Sequence, residues 1–342
     1  MGQLKQRTGA RITAYIAAVV LFAVNSAYLY TRIYGSLSAP ESRVEPVYPM
    51  YDTLLAFGDS ITEYGSKSST NGFISQLSEL YSRRMDILNR GFAGFNTSRA
   101  LELADQVLPK TSASPRSGAS DSQSASMGWP YRGYTFPGVA KTPELCFIFF
   151  GANDACYAPC EHHVPLATFY KNLRTLVSLL RSPDSEHYSP NTRILFITPP
   201  PVGDRMWEDH TRHTGWVPDR RNNVTKVYAD AVIDVAKELG LPYVDLWTAI
   251  EDLIHGTSSV AHKDAELPPK VKNVAEGVPK KLLVQSDAES SDKATVGGGS
   301  NVYGGYDEYL IEGLHLTARG NDVLFELVVS EILRNWPELD PS

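Results

Sequence analysis

Cysteine is scarce, with three residues in 342, too few for a disulfide-built scaffold. Cys146 lies inside the apolar run Leu145 to Phe150, where a thiol packs as a small buried hydrophobe. Cys156 and Cys160 stand four apart in a loop-like stretch and could pair in an oxidising compartment. Zinc-like Cys/His spacing is also missing. His162 and His163 follow Cys160, but a structural zinc wants four well-placed ligands, so neither a metal nor an organic cofactor is expected. No basic excess exists either. Thirty-two Lys and Arg stand against 39 Asp and Glu, a net charge of −7, which leaves no electrostatic footprint for nucleic acid. Hydrophobic content of 42% with 21% charge excludes wholesale disorder.

One segment is uncharged and apolar for long enough to matter. It runs from Ile12 to Thr31, is ended by Arg32, and follows Lys5, Arg7 and Arg11. About 20 residues is what a helix needs to cross a bilayer. The basic flank predicts that residues 1–11 stay cytoplasmic. The expected order is a transmembrane signal anchor at 12–31, a Pro- and Ser-containing linker over 32–50, and one domain over 51–342 in a lumen or outside the cell. Were the segment cleaved, with Asn25-Ser26-Ala27 as a weak cleavage site, the domain would be secreted. Asn96-Thr97-Ser98 and Asn223-Val224-Thr225 fit the glycosylation acceptor pattern, so a glycoprotein is expected, although such triplets also arise by chance.

Within 51–342 the apolar pattern alternates between strand-like and helix-like. Strands are predicted at Thr53–Phe57, Asp86–Leu88, Leu145–Phe150, Arg193–Thr198 and Tyr243–Asp245. Helices are predicted at Asn71–Arg84, Leu166–Leu180, Asn222–Leu239 and Ala318–Asn335. This alternation predicts an α/β fold with a mostly parallel sheet covered on both faces, whose carboxyl edge gathers loops into a site. Two stretches break the pattern, a Ser/Ala/Gly-rich one at 109–127 and a polar one at 261–305. Both read as surface insertions into a single domain.

Four loop segments carry candidate chemistry. Gly58-Asp59-Ser60 follows the first strand and could project a serine hydroxyl from the sheet edge; equally, Ser60 could cap the next helix. Gly91 to Asn96 follows the second strand, and a glycine there lets a backbone N–H approach a ligand. Gly151-Ala152-Asn153-Asp154 follows the third, and its asparagine amide could serve a developing oxyanion or simply a turn. Glu312-Gly313-Leu314-His315 precedes the last helix. A histidine base needs a partner to fix its tautomer, and Glu312 could fold back on the ring. Phe95, Tyr157 and Trp207 could line a pocket or be ordinary packing.

In order and flanking sequence these blocks resemble the GDSL, or SGNH, hydrolase superfamily. AFGDSIT, NRGFAGFNT, FFGANDA and GLHLTARGN look most like its isoamyl acetate-hydrolysing esterase branch, and the resemblance spans Thr53 to Arg334 apart from the two insertions. It implies a three-layer α/β/α sandwich with a flavodoxin-like sheet, Ser60 as nucleophile and His315 as base. It also implies oxyanion donors from the N–H groups of Ser60 and Gly94 and the amide of Asn153. The substrate class implied is a small ester, with short acyl groups such as acetyl on simple alcohols. A carbohydrate O-acetylesterase, a lysophospholipid-type lipase or a membrane-tethered scaffold with a degenerate hydrolase domain are the other readings. No obligate protein partner is evident. One departure stands out: the family pattern has Asp three residues before the histidine, where this chain has Glu312, with Asp307 further back as a substitute acid.

Overall fold

A computed structural model describes residues 51–110, 142–157, 160–257 and 302–341. The anchor expected at 12–31, the linker at 32–50 and most of both insertions lie outside the described residues. Among the described residues no helix is long and apolar enough to cross a membrane.

Five parallel strands form one sheet: β1 (Asp52–Gly58), β2 (Met85–Gly91), β3 (Leu145–Phe149), β4 (Arg193–Ile197) and β5 (Tyr243–Val244), in the order β2-β1-β3-β4-β5. The helices are α1 (Ser60–Tyr64), α2 (Phe73–Leu80), α3 (Thr97–Val107), α4 (Leu166–Arg181), α5 (Asp204–Thr214), α6 (Asn222–Glu238), α7 (Leu246–His255), α8 (Tyr306–Tyr309) and α9 (Ala318–Asn335). A strand covered on both faces must be apolar at every position, because successive side chains point to opposite sides. β1 and β3 show this directly. Leu54, Ala56, Leu145, Phe147 and Phe149 face a core shared with Phe73 and Leu77 of α2, Leu246 and Ile250 of α7, and Leu324, Phe325 and Val328 of α9. Leu55, Phe57, Cys146 and Ile148 face the other core, with Ala100 and Leu103 of α3, Phe169 and Leu173 of α4, and Val232 and Val235 of α6. Burying each Leu or Phe contributes about 1.5–3 kcal/mol, so both layers are held by apolar area. The layers are α/β/α and the sheet order is flavodoxin-like.

Some elements depart from the sequence reading. β2 is longer than Asp86–Leu88, and the helix expected over 71–84 is limited to Phe73–Leu80. Asp245, expected in the last strand, instead caps α7 by accepting from Thr248 N at 3.0 Å. The sequence pattern gives no range for α1, beyond the helix that Ser60 could cap, and does not predict α3, α5, α7 or α8. α5 reads DRMWEDHTRHT and buries little beyond Met206 and Trp207, so its apolar signal is weak. Residues 302–305, the end of the expected second insertion, are tied to α5: Tyr303 Oη donates to Asp209 at 3.2 Å and Arg205 donates to the Val302 carbonyl at 3.2 Å.

The chain leaves β1 toward β2 on one side, and β3 lies on the other. The carboxyl ends of β1 and β3 therefore border a crevice at the point where strand order reverses, the usual place for a ligand in such sheets.

Candidate active site

The turn from β1 into α1 is very tight. A Cβ on Gly58 would stand 2.0 Å from Thr62 Oγ1 and 2.7 Å from the Phe149 carbonyl, so only glycine permits it. Asp59, not Ser60, caps α1: its carboxylate accepts from Ile61 N at 2.9 Å. Ser60 is thus the first helical residue, and its N–H is among the first-turn donors that a helix leaves without an internal partner. Asp59 is buried, and that desolvation raises its pKa to about 7 against the lowering effects of the Ile61 bond and of His315.

The second block is tied to the first by Asn89, whose Nδ2 donates to the carbonyls of Thr62 (2.8 Å) and Glu63 (3.2 Å). Gly94 then takes a left-handed conformation, φ 76°, and its carbonyl accepts from Arg99 Nη1 at 3.1 Å. Asn153 follows β3 and joins this loop, its Nδ2 donating to the Phe95 carbonyl at 2.9 Å. Its Oδ1 accepts from Arg220 Nη2 at 3.1 Å. One of the two Asn153 amide hydrogens therefore remains for a ligand. Asp154 anchors α3 from below, accepting from Thr97 N at 2.9 Å and Thr97 Oγ1 at 2.5 Å. Burial raises its pKa to about 6, opposed by those two bonds.

The last block is a tight reversal. Leu310 and Leu316 form an antiparallel bridge, and Ile311 N donates to the His315 carbonyl at 2.8 Å. Gly313 sits at φ 94°, where an added Cβ would stand 2.7 Å from the Gly203 carbonyl, and its own carbonyl accepts from Gly203 N at 2.9 Å. This reversal places His315 Nε2 2.8 Å from Ser60 Oγ and brings His315 Nδ1 into a hydrogen bond with the Glu312 carboxylate. Burial raises the Glu312 pKa, but the hydrogen bond and charge of His315 outweigh it and hold the carboxyl below its ordinary value. Tyr64 lies beside the imidazole, ring centroids 4.9 Å apart. Asp307 is exposed on α8; the acid at the ring is Glu312.

The structure thus brings together Ser60, His315 and Glu312, and separately Gly94, Phe95 and Asn153. Phe95 and Trp207 are buried; Trp207 Nε1 donates to Asp219 at 3.1 Å, and Tyr157 Oη donates to the Pro218 carbonyl at 2.7 Å. Cys156 and Cys160 form a disulfide. Among the described residues, the grouping of His, Cys, Asp or Glu atoms close enough to share a metal is Cys156, Cys160 and Asp219, and the disulfide takes both its sulfurs. His162 Nδ1 instead lies 3.0 Å from Arg99 Nη1, and His163 Nδ1 2.5 Å from the Cys156 carbonyl. The glycosylation expectation needs correcting at Asn96: it is buried, caps α3 by accepting from Arg99 N at 2.9 Å, and donates to the His162 carbonyl at 2.8 Å. A folded chain cannot offer that amide to a glycan. Asn223 is exposed. Arg220 escaped the sequence reading, because a charged Asp219-Arg220-Arg221 run before a helix looks like surface.

The GDSL-like Lipase/Acylhydrolase family model matches residues 56–264. This chain belongs to that family. A mouse (Mus musculus) isoamyl acetate-hydrolyzing esterase 1 homolog is 30% identical over 278 residues, covering 81% of this chain and 79% of the relative. The GDSL esterase/lipase CPRD49 of Arabidopsis thaliana is 32% identical over 60% of this chain and 68% of its own length. A solved lipase/acylhydrolase from Enterococcus faecalis superposes with a TM-score of 0.46 at 20% identity, over 83% of this chain and 96% of that one. Membership of this acylhydrolase family, with an esterase relative matched over most of the chain, makes the protein an ester hydrolase.

Proposed function

We propose that this enzyme cleaves short-chain carboxylic esters, chiefly acetyl esters, with Ser60 as nucleophile, His315 as base and Glu312 as the third triad member. The observation that carries the reading is His315, hydrogen-bonded through Nε2 to Ser60 Oγ and through Nδ1 to Glu312. In the first step His315 takes the Ser60 proton as Oγ attacks the carbonyl carbon. The N–H groups of Ser60 and Gly94 and the free Asn153 amide hydrogen hold the oxyanion. The alcohol leaves with the proton from His315. Water, deprotonated by the same ring, then releases the acid and restores Ser60. Glu312 stays ionised throughout and supports the imidazolium. The acetyl preference follows the relatives, whose names specify isoamyl acetate hydrolysis.

The test is a p-nitrophenyl ester series, acetate to palmitate, with the full chain and its Ser60→Ala variant. Turnover that falls with chain length and vanishes in Ser60→Ala supports the proposal. A preference for long chains moves it to a lipase, and turnover confined to acetylated sugars to a carbohydrate O-acetylesterase. Absence of fluorophosphonate labelling at Ser60 would favour the degenerate scaffold.

We also infer that residues 12–31 anchor the chain with its domain in a lumen or outside the cell. The uncharged length behind Lys5, Arg7 and Arg11 and the Cys156–Cys160 disulfide, a bond that persists in oxidising compartments, support this. Alkaline carbonate extraction separates the cases: release into the supernatant, with loss of the N-terminal residues, would mean a cleaved signal and a secreted enzyme.

A further inference from the structure

Arg220, just before α6, is 5% exposed. Burying an arginine is costly unless its donors are used, and its partners show how they are used. Nη1 donates to the Ala152 carbonyl at 2.5 Å and Nη2 to Asn153 Oδ1 at 3.1 Å. The guanidinium lies over the Trp207 ring, 5.3 Å from its centroid, and Nε makes no hydrogen bond but pairs with the charge of Asp219, whose Oδ1 is 3.7 Å away. The segment carrying it is itself held against the loop that follows Asn153, because Tyr157 N donates to the Asp219 carbonyl at 3.0 Å and Tyr157 Oη to the Pro218 carbonyl at 2.7 Å. The buried cation is thus docked onto the asparagine block from behind.

An asparagine amide has two orientations, related by exchanging oxygen and nitrogen. In the observed one, Oδ1 meets a guanidinium donor and Nδ2 meets the Phe95 carbonyl. The reverse would set the amide N–H groups against the guanidinium and the amide oxygen against a carbonyl. Both contacts would be repulsive. A cation bonded to the amide oxygen also draws electron density from the nitrogen, making its remaining N–H a stronger donor. That gain is largest when the acceptor carries full negative charge, in the transition state rather than the bound ester.

We propose that Arg220 is a positioning residue for ester hydrolysis: it locks the Asn153 amide in the orientation that turns Nδ2 to the oxyanion and strengthens that donor. This rests on Asn153 being an oxyanion donor, so the experiment must separate the two. Full-length wild type, Arg220→Met, Arg220→Lys, Asn153→Ala and the Arg220→Met/Asn153→Ala double variant are compared on p-nitrophenyl acetate. Their folding is checked by circular dichroism.

Loss of one oxyanion donor costs about 10²–10³ in kcat, which sets the ceiling. Arg220→Met is expected to lower kcat by roughly tenfold or more within that ceiling, with KM changed by less than about twofold. In the Asn153→Ala background the same substitution is expected to do almost nothing, since the group it acts through is gone. Effects that simply multiply in the double variant, or a change confined to KM, would overturn the inference and leave Arg220 a structural residue. If Arg220→Met fails to fold, Arg220→Lys carries the same cycle, because it keeps the charge and loses the forked pairing. An Asn153→Ala variant with wild-type kcat would instead sink the oxyanion reading of Asn153 itself.

Discussion

Shortening Glu312 by one methylene tests whether the third member of the triad is built for glutamate. The Glu312→Asp carboxylate is withdrawn by about 1.5 Å, one carbon–carbon bond. The backbone cannot follow it inward. Ile311 N is bonded to the His315 carbonyl at 2.8 Å and the Gly313 carbonyl to Gly203 N at 2.9 Å. At Gly313 even one added carbon would stand 2.7 Å from the Gly203 carbonyl, so the turn is already pressed against its neighbour. The bond to His315 Nδ1 is therefore expected to open beyond hydrogen-bonding range, and a misplacement of about 1 Å costs roughly 10²-fold in rate. Glu312→Gln keeps the length but removes the charge and allows the wrong tautomer. Neutralising the equivalent acid of a Ser-His-acid triad costs about 10⁴ in kcat, and that larger loss is expected here. Both variants are measured by kcat on p-nitrophenyl acetate, with thermal unfolding as the control for fold. If Glu312→Asp matched or exceeded wild type, the turn would have to move freely, and the argument from its backbone bonds would be refuted.

Three further outcomes follow from the site's surroundings. The Asp59 pKa is raised by burial from 3.8 to about 7, so between those values the native state holds more protons than the unfolded chain and wild-type stability falls as pH rises. Asn caps helices as well as Asp does and does not titrate; the Tm of Asp59→Asn minus that of wild type should climb from pH 4 to pH 7, and a flat difference contradicts the burial argument. Gly58→Ala forces a carbon to within 2.7 Å of the Phe149 carbonyl, a backbone atom of a central strand, and should cost about 1–3 kcal/mol in urea unfolding; a neutral result would mean that the strand end gives way. Replacing Cys156 and Cys160 with serine opens a five-residue loop, for which chain entropy gives about 2 kcal/mol. An unchanged midpoint would mean that the loop is as restricted without the bond.

What the sequence made legible follows from burial. β1, β3 and β4 are covered on both faces over Leu54–Phe57, Leu145–Phe149 and Ile194–Ile197, and each of those stretches is an uninterrupted apolar run. β2 lies at the sheet edge and carries Asn89 and Arg90 in its second half, so only its apolar middle was visible. Ser60, Asn153 and His315 could be read because each sits where an apolar run ends or a helix begins. Glu312 could be read from its spacing to His315. Asn96 looked like a glycan acceptor, because nothing local reveals that its side chain caps α3 or that His162 comes back to meet it. Arg220 was hidden for the same reason: its burial depends on Trp207, Ala152 and Asn153, residues 13, 68 and 67 positions away, and a charged run before a helix otherwise signals solvent.

The two close backbone approaches argue that the site is set by main chain more than by side-chain packing. Gly58 lets α1 start against the end of β3, which Asn153 follows in the next loop, and so fixes the nucleophile relative to the asparagine block. Gly313 lets the His315 turn press on the loop after β4, through the paired Gly203 and Gly313 bond. The nucleophile and the base are 255 positions apart, yet each is referred to a neighbouring strand of one sheet. Their 2.8 Å separation is then inherited from the spacing of β1, β3 and β4 rather than from the flexible arms of long side chains. Main-chain hydrogen bonds and close glycine approaches have little freedom to relax, which is what an arrangement needs if ångström displacements cost a hundredfold in rate. On this argument the glutamate at 312 is not a loosened aspartate. The turn stands far enough from His315 for the longer acid to reach it, and the sheet holds it at that distance.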